Sequence, residues 1–409
     1  MFSGEGTKLI ERGLNQRNVK IENRSNILKI LRNQRDISRK DISDQLGLTK
    51  AAVSSIISDM IDENLIVETG NQETGLVGRN KILLELNKDY GFVLGLLIAE
   101  TYITLLVTNV MGETVDMYVH ELAQDESVNI DETIEMIVDK ALYLLWTNGI
   151  ERKSVLGIGI GYIGEMDSIN IDYIKSQISN RLNLTAVMSN NVKALAMMQM
   201  DFSSRETSEN FLFVKYGPGL GMAIVQGGKI IEGSDHKAGE IGHTIVDMDA
   251  DTSCRCGRKG CLESLISEKG IVKDIEKLGT KYSHLIINKN LSMIDYTSVN
   301  ELLEIKDEPI TSIFEQRYDY FAKSLANTII LLNPDYVCVY GVIFSQPKIF
   351  KMINSRVNDY LGANTKAVIR LSNLDPNSSA IGPAALALRK LFYNVGGYRE
   401  YTQRDKLIN

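Results

Sequence analysis

The stretch HKAGEIGHTIVDMDADTSCRCGRKGCLE, His236 to Glu263, holds three of the four cysteines of a 409-residue chain, and those three fall within eight positions. A disulfide, a reactive thiol and a metal clamp are the chemistries that gather cysteines in this way. Only one residue separates Cys254 from Cys256, a poor spacing for an unstrained disulfide. No apolar signal core opens the sequence, so a reducing cytoplasm is the expected setting. There, clustered thiols serve metals more often than disulfides. His243 with Cys254, Cys256 and Cys261 makes four donors, enough to close a tetrahedral zinc site. Gly257 and Gly260 allow a tight path between the thiolates. A closed set leaves no open position, so one structural zinc per chain is expected.

The metal loop follows AGEIGH, in which Glu240 and His243 are three apart and share one side of a helical turn. A histidine that gives one ring nitrogen to a metal can turn the other toward a ligand. Glu263 stands just past the last cysteine. Two carboxylates and an N–H converging on a pocket suit a polyhydroxyl ligand such as a sugar.

Working outward, the length implies two or three domains. Hydrophobic residues make up 44% and charged residues 24%, the composition of a globular protein. Residues 91–111, GFVLGLLIAETYITLLVTNVM, are long enough to span a bilayer, but Glu100 sits in their middle and β-branched residues abound. They are read as two buried strands joined by a turn, with no membrane partner. From Tyr90 onward strand-like and helix-like segments alternate, an α/β pattern that places sites at strand-end loops. The openings at 91–111 and 211–232 are expected to begin two lobes of related design. Cys338 and Trp146 are expected in the core. His120 and His284 are read as surface or packing residues, and His236 as an exposed loop residue.

Charge is unevenly spread. The net charge is −7, yet residues 1–60 carry eleven Lys/Arg against seven Asp/Glu, a net +4, which leaves −11 for the rest. A basic head on an acidic body suggests that the head alone meets nucleic acid. Residues 24–68 read as three helices. The first is about RSNILKILRNQ. The second follows Ser38, where SRKD forms a capping box with Asp41, and stops at Gly47; the third follows Thr49. Two short helices joined by a tight glycine turn make a helix-turn-helix. The strands LIVETG and NKILLEL around the loop NQETGLVGR supply a wing. Expected DNA contacts are Ser38, Arg39, Thr49, Lys50, Ala51, Ser54, Ser55 and, on the wing, Arg79. Residues 1–20 show no apolar period and are read as a partly ordered arm.

AGEIGH followed by CRCGRKGCLE resembles the signature of the ROK family of repressors and sugar kinases. GIGIGYIG, SNNVKALA, YGPGLGMAI, NPDYVCVYG and GPAALAL extend the likeness over about residues 24–390, and the layout is similar to the xylose-repressor branch. The resemblance implies a winged helix-turn-helix followed by a two-lobed, actin-like sugar-kinase body. The implied divisions are an arm 1–20, a head 21–87 and a body 88–409. Within the body, lobe one spans about 88–188 plus a C-terminal helix about 378–395, and lobe two about 189–377. Sugar contacts would fall on Asn190, Glu240, His243 and Glu263, with Gly164 nearby, and the metal ligands on the four residues named above.

The departures from the kinase pattern are specific. The stretch GLLIAETYI (95–103) lacks the Asp and glycines of the family's DxGxT phosphate loop. Pro218 replaces a usual Thr in the second phosphate segment, which removes an N–H and a hydroxyl. Gly341-Val342 replaces a Gly-Gly pair. Asn191 stands where the family has its catalytic Asp, and an amide cannot accept the sugar hydroxyl proton. It can still donate and accept hydrogen bonds to a sugar. The expectation is a sugar-responsive repressor of carbohydrate-utilisation genes, without ATP or catalysis, that acts on double-stranded operator DNA as a homodimer or dimer of dimers. The alternatives are an active ROK sugar kinase with a DNA-binding head and a regulator run by a protein partner.

Overall fold

A computed structural model describes residues 16–72, 81–99, 102–122, 129–163, 168–202, 208–217, 219–250, 252–282, 307–363, 365–374 and 380–399. Arg79, Gly164, Pro218, Glu100, His284 and the first fifteen residues of the expected arm lie outside the described residues.

The head comprises α1 (Gln16–Asn33), β1 (Ile37–Ser38), α2 (Arg39–Leu46), α3 (Lys50–Asp62), β2 (Ile66–Gln72) and β3 (Lys81–Leu86), with strand order β1-β3-β2. Local chemistry sets the helix ends. Ser38 and Asp41 form a reciprocal capping box at the start of α2, and Gly47 closes it in a left-handed conformation. Thr49 caps α3 by accepting from Ala52 N at 3.2 Å. The first helix begins at Gln16, eight residues before the position expected from periodicity. Its extra turns are held from a distance: Lys20 Nζ reaches Asp59 Oδ2 of α3 at 2.7 Å, and Ile21 backs onto Gly396. A polar sequence gives no periodic sign of such contacts. The arm expected over 1–20 is therefore helical from residue 16.

The body holds two five-stranded sheets. The first contains β4 (Phe92–Ile98), β5 (Tyr102–Asn109), β6 (Thr114–Glu121), β7 (Val155–Tyr162) and β8 (Ala186–Asn190) in the order β6-β5-β4-β7-β8. The second contains β9 (Phe211–Tyr216), β10 (Leu220–Gln226), β11 (Lys229–Ile230), β12 (Tyr336–Tyr340) and β13 (Ile369–Leu371) in the order β11-β10-β9-β12-β13. Numbered within each sheet, both orders read 3-2-1-4-5, so the two lobes do share one design. The stretch 91–111 pairs as the antiparallel strands β4 and β5. Among the described residues no helix is long and apolar enough to cross a membrane.

Helices α4 (Ile130–Thr147) and α5 (Ser168–Leu182) share a core with the first sheet. Helix α6 (Asn191–Phe202) follows β8 and packs on the second sheet. The opposite side of that sheet is built on α7 (Leu262–Ile266), α8 (Glu268–Lys277), α9 (Glu308–Leu332) and α10 (Pro347–Leu361). Helix α11 (Ile381–Leu388) runs on as a π turn, Arg389–Tyr393, and crosses β4 and β7. Its backbone approaches so closely that a Cβ at Gly159 would stand 1.7 Å from Pro383 O, which accounts for the glycine alternation of β7.

One hydrophobic core joins the head to the body. Leu28, Ile57 and Leu84 pack in the same cluster as Leu97, Leu106 and Leu156 of the first sheet and Ala384, Leu388 and Phe392 of the C-terminal segment. One expectation fails here. Trp146 is 77% exposed rather than core, because the buried stripe of α4 runs Ile134, Ile137, Val138, Ala141, Leu144 and Leu145 and leaves position 146 outside it. The strand that carries Cys338 ends at Tyr340, and Val342–Ser345 form a 3-10 turn. Cys338 is buried as expected.

Candidate sugar cleft, metal loop and DNA face

The parallel strands β4, β7 and β8 end in register, Ile98 opposite Tyr162 and Tyr162 opposite Asn190. Such carboxyl-end edges are where open α/β sheets hold ligands. Asn190 spends its Oδ1 on Val192 N at 2.8 Å and so starts α6. Asn191 is 1% exposed, and neither its Oδ1 nor its Nδ2 has a hydrogen-bond partner among the described residues. An unpaired buried amide is costly, and a ligand hydroxyl would satisfy it.

Residues 232–243 form a wall against the first turn of α6. Lys193 Nζ, almost wholly buried, bonds Glu232 Oε2 at 2.8 Å and His236 O at 2.8 Å, which ties the first turn of α6 to that wall. Burial pushes the Glu232 carboxyl up, but Lys193 and His236 together bring it below its usual range. Burial, then the carboxylates of Glu240 and Glu232, raise the Tyr162 hydroxyl above its ordinary value. The His236 side chain is exposed, as expected.

His243 ends a short 3-10 turn and faces both Glu240 and the cysteine loop. Its Nδ1 lies 3.5 Å from Cys254 Sγ, while its Nε2 lies 3.9 Å from Glu240 Oε2. Cys256 and Cys261 bring their sulfurs within 3.5 Å. All four donor atoms lie within 4.8 Å of one another. Zn–S bonds of about 2.3 Å in a tetrahedron put donors roughly 3.7 Å apart, so three thiols and one imidazole at these separations fit zinc. The loop is shaped for closure: Gly260 has φ +70°, and a Cβ there would stand 1.8 Å from Asp247 O. Arg258 Nε, 3.4 Å from Cys256 Sγ, holds that thiol down to about 6. Burial pushes Cys261 up to about 12.

Glu263, the second carboxylate expected at the cleft, is already engaged. Its Oε2 accepts from Leu220 N at 3.0 Å, and its Oε1 lies 3.1 Å from Arg255 Nη2. In the segment that matches the second phosphate loop, the Leu220 N–H is thus used internally, as is that of Gly217, which donates to Gly219 O at 2.8 Å. Lys215 is fully buried near Glu263, and burial lowers it to about 8.

On the head, Thr49, Lys50, Ala51 and Ser55 are exposed at the front of α3, and Ser54 is half-buried. Ser38 is buried, and its hydroxyl donates to Asp41 Oδ2 at 2.7 Å, so its role is the helix cap and its side chain is not presented to a partner. Arg39 pairs with Glu68 at 2.9 Å and remains at the surface.

Sequence reasoning missed Lys193, Glu232, Tyr162 and Arg255. A single lysine opening the apolar run VKALAMM was a sign of a buried, paired cation. The other three become legible only in three dimensions.

A sequence model of the ROK family matches residues 93–390, and one described as winged helix-turn-helix DNA-binding matches residues 22–67. The xylose repressor of Caldicellulosiruptor bescii (strain ATCC BAA-1888) is 25% identical over 388 residues, covering 88% of this chain and 94% of that one. Among solved structures, a ROK family transcriptional regulator described as a homolog of the E. coli MLC protein superposes with a TM-score of 0.73 at 20% identity, over 95% of this chain and all of that one. A ROK family glucokinase from Streptomyces griseus, in complex with glucose and AMPPNP, gives 0.59 at 21% identity, over 73% and 100%. At these identities the two structures establish the shared fold.

Proposed function

The chain belongs to the ROK family, and from that premise we propose that it is a sugar-responsive DNA-binding repressor whose kinase-like body has lost catalysis. The observation that carries this reading is Asn191. It is buried, and unpartnered among the described residues, at the position where the family has its proton acceptor, in a body whose core is continuous with a winged head. An amide there can hold a sugar hydroxyl but cannot take its proton. The internal use of the Leu220 and Gly217 N–H groups supports the absence of a nucleotide grip.

In this reading Asn190, Asn191, Glu240, His243 and Glu263, with the Gly164 loop, surround the sugar. Zinc on His243, Cys254, Cys256 and Cys261 fixes the histidine ring. The head (21–87) meets DNA through Arg39, Thr49, Lys50, Ala51, Ser54, Ser55 and the wing at Arg79. The body acts as a homodimer in the cytoplasm, which places two heads on successive major grooves about 34–36 Å apart. The name of the C. bescii relative puts D-xylose first among candidate effectors.

The test is a thermal-shift panel of D-xylose, D-glucose and glucose 6-phosphate, followed by DNA-binding measurements on a duplex selected by the full chain from a random pool. Sugar binding that changes duplex affinity supports the reading. No sugar bound, no duplex bound at low salt, or sugar-dependent ATP turnover overturns it.

A further inference from the structure

Helix α6 starts at the cleft and ends at the head. Its first residues are Asn191 and Lys193, the latter tied to Glu232. Ten and eleven residues after Asn191, about 15–17 Å along the axis, its last two are Asp201 and Phe202. The Asp201 carboxylate divides between two elements. Its Oδ1 faces Arg32 Nη2 of the head helix at 3.6 Å, and its Oδ2 accepts from Arg389 Nη1 of the C-terminal segment at 3.1 Å. Arg32 and Asp201 are almost wholly buried, so solvent screens this contact little. The Arg32 guanidinium also lies over the rings of Phe202, at 4.7 Å, and Tyr393, at 4.6 Å. Between its ends α6 is stiff and enclosed. Residues from Asn191 to Gln199 are buried apart from Val192, and a Cβ at Gly382 would stand 2.8 Å from Leu195 N, where α11 crosses.

The head packs in one core with the first sheet and α11, while α6 packs on the second sheet. Helix α6 lies between α11 and the second sheet and touches the head at its far end, so it is placed to pass a movement of one sheet against the other to Arg32. Resting on the reading above, we propose that α6 is the rod that couples sugar binding to the DNA face, with Asp201 as its positioning residue toward Arg32. A ligand that pulls Asn191, Lys193 and the 232–243 wall together displaces α6, and the Asp201–Arg32–Phe202 contact exists in one lobe arrangement and not in the other.

The experiment uses the full zinc-loaded chain and whichever of D-xylose, D-glucose and glucose 6-phosphate binds. Sugar affinity is measured by calorimetry with and without the selected duplex, and the ratio is the coupling. A tenfold or larger ratio is expected for the native chain. Asp201→Asn should bring it below about threefold while sugar affinity without DNA stays within about fivefold. Arg32→Lys, which keeps the charge but loses the fork and the stacking, should also lower it, and it decides the matter if the first variant does not fold. Asp201→Glu should restore part of the coupling. Hydrogen exchange of residues 24–33 on sugar addition should change in the native chain and not in Asp201→Asn, a difference that altered stability alone would not produce. Native coupling in both Asp201→Asn and Arg32→Lys overturns the rod and leaves the repressor reading standing. Failure of all three sugars to bind the native chain overturns the cleft reading and the rod with it.

Discussion

Arg255 lies between two cysteines of the loop, yet its guanidinium turns away from them to Glu263, with Nη2 3.1 Å from Glu263 Oε1. His243 makes the same connection from the other side, Nδ1 toward Cys254 and Nε2 toward Glu240. The cysteine loop thus reaches both carboxylates, Glu263 through Arg255 and Glu240 through His243.

Metal removal should accordingly be felt in sugar binding. Without zinc, the three thiols and the imidazole have no common partner, and Arg255 and His243 lose their fixed positions. Cys254→Ser, or treatment with a strong chelator, should lower bound zinc from about one per chain to well below half. It should weaken sugar affinity by about tenfold or more. Metal analysis and calorimetry on the same samples check both. Full sugar affinity in metal-free protein would separate the loop from the cleft.

Restoring the missing carboxylate should not restore a kinase. Asn191→Asp supplies a proton acceptor at a 1% exposed position, but the Leu220 and Gly217 N–H groups remain committed to Glu263 and Gly219. Phosphoryl transfer needs its charge held as well as its proton taken. A coupled ATP assay with the sugar panel should show no turnover for either protein. Sugar-dependent turnover in the variant would mean that a nucleotide grip survives.

What could be read from the chain itself was local chemistry. Ser38 with Asp41, Thr49 before Ala52, and His243 with the three cysteines each act over a few residues, so their spacing carries their structure. The repeated sheet order was legible for a similar reason, since both lobes open with a long apolar hairpin. What escaped depends on distant partners. The first turns of α1 are held by Asp59 and Gly396, the buried Lys193 by Glu232, and Arg32 by Asp201. Trp146 was misread because an apolar residue at a helix end was taken as inward, although the stripe of α4 passes beside it.

The pH dependence of stability should carry the mark of Lys215. Unfolded, its amine stays protonated up to its ordinary 10.5; folded, burial lowers that to about 8. Between these values the unfolded chain holds a proton that the folded chain does not, so raising the pH across this window favours the folded state. Below about 8 the folded protein carries a buried cation, and the benefit is absent. The gain approaches about 3 kcal/mol at the top of the window. Lys215→Met should remove it, which the difference between the two proteins' urea midpoints at pH 7.5 and 10 would show. An unchanged difference would mean that the amine is charged and paired throughout.

The Arg24–Glu63 pair yields an asymmetric prediction. Arg24 is 0% exposed, forks onto both oxygens of Glu63 at 2.8 and 2.5 Å, donates to Gly396 O at 2.8 Å and covers the Tyr398 ring at 3.9 Å. The Glu63 side chain is 38% exposed. Removing the carboxylate leaves a guanidinium with no water and no counter-charge, whereas removing the guanidinium leaves a carboxylate that water can still reach. Replacing a buried cation by an apolar side chain of similar volume is often close to neutral, while stranding one is not. Glu63→Gln should therefore destabilise by about 3 kcal/mol and Arg24→Met by roughly half of that or less. The double variant should be no worse than Glu63→Gln alone, because the stranded charge has gone. Urea unfolding of the three variants checks the order. The reverse order, with Arg24→Met the more damaging, would show that the contacts to Gly396 and Tyr398, rather than the ion pair, hold the head helix to the C-terminal segment.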